Sequence, residues 1–139
     1  MEFLDRVDFE NHNGVYLSML NDVARNHFYN HVLTQVLDHD CVEIGFGTGL
    51  LSMLALKHGA RSIVAYESDS DRYHLGCEVI KLLKLQDRIT LINQLYDHNC
   101  KNNTTVIFTE TVDDNIWGEG LYNILPRQPG KQFLPGQYF

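Results

Sequence analysis

Apolar residues along the chain are spaced first as in a helix and then as in strands. Over residues 14–38 they stand three or four positions apart, which predicts one helix with the apolar side chains Tyr16, Leu20, Val23, Phe28, Val32, Leu33 and Val36. Short apolar runs predict four strands, over 41–47, 62–67, 88–92 and 104–110.

Two further helices are predicted between the first three strands. The helix over 50–59 has Gly59 as a C-terminal stop. The helix over 68–85 opens with Ser and Asp, residues that cap helix N-termini, and its predicted apolar face consists of Tyr73, Cys77, Ile80 and Leu83.

This alternation of strands and helices with short connections predicts the fold class. A β-α-β-α-β order favours a parallel sheet with helices on its faces, so we expect an α/β protein with a doubly wound, Rossmann-like sheet. In such sheets ligands bind outside the carboxyl ends of the strands. With 139 residues, the chain is long enough for one domain with a hydrophobic core and too short for two.

Charge and cysteine content narrow the class of partner and the compartment. The net charge of −7 argues against a nucleic-acid backbone or an anionic membrane as main partner and favours a basic substrate. No apolar run is long enough to cross a bilayer, and residues 1–10 lack the layout of a signal peptide. Three scattered cysteines without a CxxC pair indicate a reducing compartment, cytoplasmic or nuclear, and no metal site is expected.

A glycine-rich loop follows the first predicted strand. "EIGFGTGLL" places Gly45, Gly47 and Gly49 between that strand and the next helix, but the dinucleotide pattern GxGxxG would require glycine where Leu50 stands. Glu67 ends the next strand, where a carboxylate can accept both hydroxyls of an adenosine ribose and would repel a ribose phosphate. The pattern suits a nucleoside without a pyrophosphate, such as S-adenosylmethionine. A tight turn beside a solvated glutamate explains it equally well.

Four carboxylates are collected in the stretch "TETVDDNIWGEG" over 109–120. Glu110 and Glu119 stand nine residues apart with Asp113 and Asp114 between them, and residues 102–126 contain no Lys or Arg. A solvated acidic loop would explain the charges. It would not explain the glutamate spacing, the GEG ending or the position after a fourth parallel strand.

Three stretches together resemble one enzyme family. "YLSMLNDVARNHFY" (16–29), "VEIGFGTGLLSMLALKHGA" (42–60) and "TETVDDNIWGEG" are similar, in order and spacing, to three motifs of the protein arginine N-methyltransferases, which are class I S-adenosylmethionine-dependent enzymes. The acid-rich interior of the third motif is most similar to the type III, arginine methyltransferase 7-like branch. The resemblance implies a cofactor-covering helical segment over 1–40 and a cofactor-binding core over 41–139.

The resemblance implies that Glu110 and Glu119 are the catalytic residues. An arginine guanidinium stays protonated and presents a planar fork of donors, which two carboxylates can bind and orient toward an electrophilic methyl group. Like charges in an empty pocket would raise the pKa of at least one carboxyl. An alternative is a module that binds S-adenosylmethionine without turnover and acts as a regulatory partner.

The resemblance also implies a set of cofactor-binding residues. Arg25 matches the arginine that pairs with the cofactor's carboxylate, and Met19 matches a methionine near the methyl donor. Glu43 stands where the family usually carries Asp, and Asp97 is expected to bind the adenine amino group beside the backbone of Tyr96. The full predicted set is Met19, Arg25, Glu43, Gly45, Gly47, Gly49, Glu67, Ser68, Tyr96 and Asp97.

The chain departs from the family pattern at its C-terminal end. Family members continue past the fifth strand into a β-barrel domain with a histidine loop, whereas this chain ends at "QFLPGQYF", which is similar to the start of that strand. We therefore expect a truncated core with four strands, an open sheet edge, and self-association or a completing chain. The expected substrate is an arginine-containing protein or peptide. Nucleic-acid methylation is less favoured, because the fourth strand ends in "TETV" rather than in Asn or Asp followed by Pro-Pro.

Overall fold

The computed structural model describes residues 20–97 and 106–109, together with the backbone of residues 132–135. Three α-helices, one 3-10 helix and five strands lie in these ranges. In chain order they are α1 (Val23–Val32), a 3-10 helix (Leu33–Val36), β1 (Asp40–Ile44), α2 (Leu50–Lys57), β2 (Ser62–Tyr66), α3 (Ser70–Leu82), β3 (Ile89–Ile92), β4 (Val106–Thr109) and β5 (Gln132–Pro135).

The five strands form one parallel sheet in the order β3-β2-β1-β4-β5. Central β1 pairs with β2 on one side and β4 on the other, which confirms the predicted α/β class with a Rossmann-like sheet. The prediction of four strands with β4 at an open edge is wrong, because Gln132–Pro135 pairs in parallel with Val106–Thr109. As the resemblance implied, the segment near "QFLPGQYF" contains a fifth strand.

The helix predicted over 14–38 is interrupted within its described part. Leu20 and Asn21 are helical, whereas Asp22 is extended and its carboxylate accepts a hydrogen bond from the backbone N–H of Arg25 at 3.0 Å. An Asp side chain that accepts a backbone N–H favours the start of a new helix over the continuation of the previous one. Helix α1 accordingly begins at Val23, the next residue. The predicted residues before position 20 lie outside the described ranges.

The two faces of the sheet carry two separate apolar clusters. Side chains of α1, α2, α3 and the 3-10 helix pack on one face against strand residues that include Cys41, Ile63, Ala65 and Phe108. The opposite face carries Val42, Ile44, Tyr66, Tyr96 and Ile107. Central strands buried on both faces appear in sequence as continuous apolar runs, and this is why β1 and β4 were recognisable. Among the described residues no helix combines the length and apolarity needed to span a bilayer.

Helix α3 has the predicted N-cap but a shifted buried face. The carboxylate of Asp69 accepts a hydrogen bond from the N–H of Arg72 at 2.9 Å, as the sequence predicts for a cap. The buried residues are Gly76 and Ile80, whereas Leu83, predicted to face the core, is 46% exposed. The helix turns Gly76 inward because a residue without a side chain allows close approach to Leu91 and Phe46.

Candidate functional site

The glycine loop connects β1 to α2 through left-handed backbone conformations. Gly45, Gly47 and Gly49 have φ angles of 78°, 53° and 80°, which residues with a Cβ rarely adopt. The N–H groups of Gly45 and Phe46 both donate to the carbonyl of Tyr66, at 2.9 and 3.1 Å, and the N–H of Gly49 donates to the carbonyl of Phe46 at 2.8 Å. The loop is therefore a tight turn held against the end of β2.

Glu67 follows β2 and lies at the mouth of this loop. Its side chain is buried; Oε2 accepts the N–H of Gly47 and Oε1 accepts the N–H of Asp69, both at 3.0 Å. An ionised carboxylate offers about four acceptor positions, so each oxygen can accept a further hydrogen bond. The structure thus brings Gly47 and Glu67 together and orients a carboxylate that can receive two hydroxyl groups.

Glu43 lies beneath the loop, inside the protein. Its side chain is 1% exposed and its carboxyl accepts a hydrogen bond from the Ser52 hydroxyl of α2. Burial raises the pKa of Glu43 to about 8; the charge of Glu67 acts in the same direction, and the bond from Ser52 acts against it. Glu43 therefore links β1 to α2 through Ser52, and its contact with a cofactor stays a prediction.

The other residues predicted to contact a nucleoside lie at the carboxyl ends of β2 and β3. The ring of Tyr96 is buried edge-to-face against Tyr66, with the ring centres 5.2 Å apart, and Ser68 and Asp97 are exposed. Asn93 also lies here, although it is not among the predicted site residues; its side-chain N–H donates to the carbonyl of Glu67 at 2.9 Å. Its place directly after the predicted strand "RITLI" could have indicated that it lies at the carboxyl edge of the sheet.

Arg25 lies on α1, where its guanidinium carbon is 5.3 Å from the centre of the Tyr29 ring. Tyr29 is buried in the cluster that also holds Phe46, so α1 packs on the face of the sheet that carries the glycine loop. Three predicted site residues, Met19, Glu110 and Glu119, lie outside the described ranges.

Strand β4 carries the chain to the same edge of the sheet. Thr109, the last residue of β4, pairs with Ile44 and its hydroxyl donates to the carbonyl of Ile44 at 2.9 Å. The position directly before Glu110 is therefore adjacent to the start of the glycine loop.

Within the described ranges, no group of three His, Cys, Asp or Glu side chains could hold a metal ion.

A central β1 followed by a glycine loop, with a buried glutamate after β2, is typical of Rossmann-like folds that bind a nucleoside. No family model matches the chain. Protein arginine N-methyltransferase 9 of Mus musculus is 34% identical over 115 residues, which cover 77% of this chain. Protein arginine N-methyltransferase 1 of Saccharomyces cerevisiae is 33% identical over 85 residues, or 58% of this chain. The chain is related to the protein arginine N-methyltransferases, as its motifs predict.

A solved structure gives the same relationship in three dimensions. The Trypanosoma brucei PRMT1 enzyme–prozyme heterotetrameric complex with AdoHcy matches 76% of this chain with a TM-score of 0.63 and 26% identity. The matched residues make up 34% of the chain in that structure. In the two sequence comparisons they make up 14% of the mouse protein and 24% of the yeast protein. The chain thus corresponds to a minor part of each relative. An arginine methyltransferase 7-like branch stays a prediction, since the relatives named here are methyltransferases 9 and 1.

Proposed function

We propose that the chain is the cofactor-binding part of a protein arginine N-methyltransferase. In this role it binds S-adenosylmethionine and serves methyl transfer to an arginine guanidinium. The observation that carries the proposal is the Glu67 carboxylate, held by the N–H groups of Gly47 and Asp69 at the mouth of the glycine loop. The relationship to named arginine methyltransferases supports the same conclusion.

The residues at the site fit this cofactor. A Cβ on Gly49 would lie 2.6 Å from the Phe46 ring, so the loop can form only where this side chain is missing. Glu67 would accept the two ribose hydroxyls, and Ser68, Tyr96 and Asp97 would bind the adenine end. Arg25 would pair with the carboxylate of the methionine portion, and Met19 would lie near its sulfur. When bound, the cofactor supplies an electrophilic methyl group.

The substrate side of the proposal rests on Glu110 and Glu119. Their carboxylates would hold the guanidinium bidentately and align one nitrogen with the methyl group, which lowers the entropic part of the barrier. They would also stabilise the cation during transfer. Support comes from their position after β4, whose last residue lies beside Ile44 and the glycine loop.

Calorimetry on Glu67 variants tests the cofactor site. Glu67→Ala should weaken binding of S-adenosylhomocysteine by about 1–3 kcal/mol, the usual cost of losing hydrogen bonds to a charged group. Glu78→Ala, a loss of an exposed carboxylate on α3, is the matched control and should leave the affinity unchanged. Absence of binding by the wild-type chain, or equal affinities for wild type and Glu67→Ala, would contradict the proposal.

A partner subunit without turnover is the second candidate. The enzyme–prozyme composition of the Trypanosoma brucei complex favours it, because there an arginine methyltransferase assembles with a second chain. Labelled S-adenosylmethionine and an Arg/Gly-rich peptide, with this chain alone and with a barrel-containing methyltransferase, separate the two candidates. Methylation in the mixture above that of the added methyltransferase alone, together with co-sedimentation, supports the partner role, and methylation by the chain alone supports the first.

The location proposed for the protein is intracellular, cytoplasmic or nuclear. Support comes from Cys41 and Cys77, which are free thiols, as is usual in reducing compartments.

A further inference from the structure

Phe46 lies between two glycines of the loop, Gly45 and Gly47, and its ring is buried. Its side chain is 2% exposed, because the ring turns inward under the loop. A Cβ on Gly49 would lie 2.6 Å from the ring tip Cζ, and a Cβ on Gly76 of α3 would lie 2.9 Å from Cε1 and 3.0 Å from Cδ1. The ring thus fills a slot that exists because two glycines lack side chains.

This slot joins the two segments that hold Glu67. Gly47 is adjacent to Phe46 and donates its N–H to Oε2 of Glu67. Asp69, the N-cap of the helix that carries Gly76, donates its N–H to Oε1. We therefore expect a smaller or larger side chain at position 46 to shift the loop relative to α3, and to change the distance between the two N–H donors.

We propose that Phe46 is a positioning residue for ribose recognition. By filling the slot against Gly76 it sets the spacing of the Gly47 and Asp69 N–H groups, and so orients the Glu67 carboxylate toward the 2′- and 3′-hydroxyls of an adenosine ligand. The inference rests on the proposed function. It differs from simple core packing in one measurable respect, since packing alone would affect ribose and deoxyribose ligands equally.

The test compares S-adenosylhomocysteine with its 2′-deoxyribose analogue, by calorimetry on the full chain. Wild type should prefer the ribose ligand on the order of tenfold, the usual worth of a hydrogen bond to a carboxylate. Phe46→Leu, which leaves the slot partly empty, should reduce this preference to about twofold or less. Gly76→Ala should do the same, because its methyl group would crowd both the Phe46 ring and the tip of Leu91 and push α3 away.

Combining the two substitutions supplies the decisive comparison. In Phe46→Leu/Gly76→Ala the added methyl group takes the space that the ring edge vacated but still meets Cδ2 of Leu91, 2.7 Å from the Cβ, so the ribose preference should return part of the way toward the wild-type value. Ile80→Val, which removes buried packing volume from α3 away from the Phe46 ring contact with Gly76, is the control and should keep the full preference. Thermal unfolding identifies folded variants, and Phe46→Leu alone suffices if Gly76→Ala does not fold.

Two results would overturn the inference, and they are distinguishable from each other. A wild-type ribose preference that persists in Phe46→Leu, with both ligands weakened equally, would show that Phe46 contributes packing only and would leave the proposed function standing. A wild-type chain that binds neither ligand would remove the proposed function and the inference together.

Discussion

Replacing Glu43 with Gln tests the electrostatics of the site's interior. The substitution keeps the shape of the side chain and an oxygen that can accept the Ser52 hydroxyl, but removes the ionisable group. Glu43 is 1% exposed, and burial raises its pKa from the usual 4.5 to about 8. At neutral pH the folded protein therefore holds this carboxyl in its protonated form.

The sign of the effect follows from proton binding in the folded and unfolded states. Between pH 4.5 and 8, the unfolded chain carries an ionised Glu43 while the folded protein keeps the proton. Stability is therefore greatest below the unfolded pKa and is lost as pH rises through the folded pKa. Each pH unit in this window lowers the free energy of unfolding by about 1.4 kcal/mol. From pH 5 to pH 8 the free energy of unfolding should therefore fall by on the order of 4 kcal/mol. Glu43→Gln should not suffer this loss.

Urea unfolding of both proteins at pH 5, 6.5 and 8 measures the effect. All other ionisable groups are the same in both proteins, so their contributions cancel in the difference. Asp40→Asn is the control, because Arg61 lowers the pKa of Asp40 to about 2 and its contribution should stay constant from pH 5 to 8. A difference between wild type and Glu43→Gln that does not change with pH would refute the assignment of a buried, neutral carboxyl.

Three further predictions concern the substrate side and the stability of the site. Glu110→Gln and Glu119→Gln should each nearly abolish peptide methylation while calorimetry shows unchanged cofactor affinity; a wild-type rate in either variant would exclude the guanidinium role. Thr109→Val removes the buried bond to Ile44 and should cost about 1–3 kcal/mol in urea unfolding, whereas Thr109→Ser keeps the hydroxyl and should cost clearly less. Asp69→Ala should cost about 1 kcal/mol of cap energy in the same assay, and Asp69→Asn less; equal costs would argue against the cap.

The local features of this protein could be predicted from the sequence by itself. Apolar runs located strands β1 to β4 to within a few residues, and Asp69 and Gly59 marked helix ends because capping and left-handed turns depend on a single residue. The glycine loop, with Glu67 one strand later, predicted the carboxyl edge of the sheet as the site. These features are set by the conformational preferences of short segments, and the order of the motifs identified the family.

The tertiary structure alone decided the features that depend on contacts between distant segments. β5 pairs with β4 and so covers the strand that was expected to lie at the edge. The sequence did not predict this strand among its apolar runs because a short segment with a proline has little strand pattern of its own. Gly76 faces inward because it meets Phe46 and Leu91, and Glu43 is buried because α2 covers it with Ser52. The periodicity of a helix shows that one of its faces is buried, but the partners that bury it come from other parts of the chain. For this reason the support beneath the glycine loop became visible only in the folded protein.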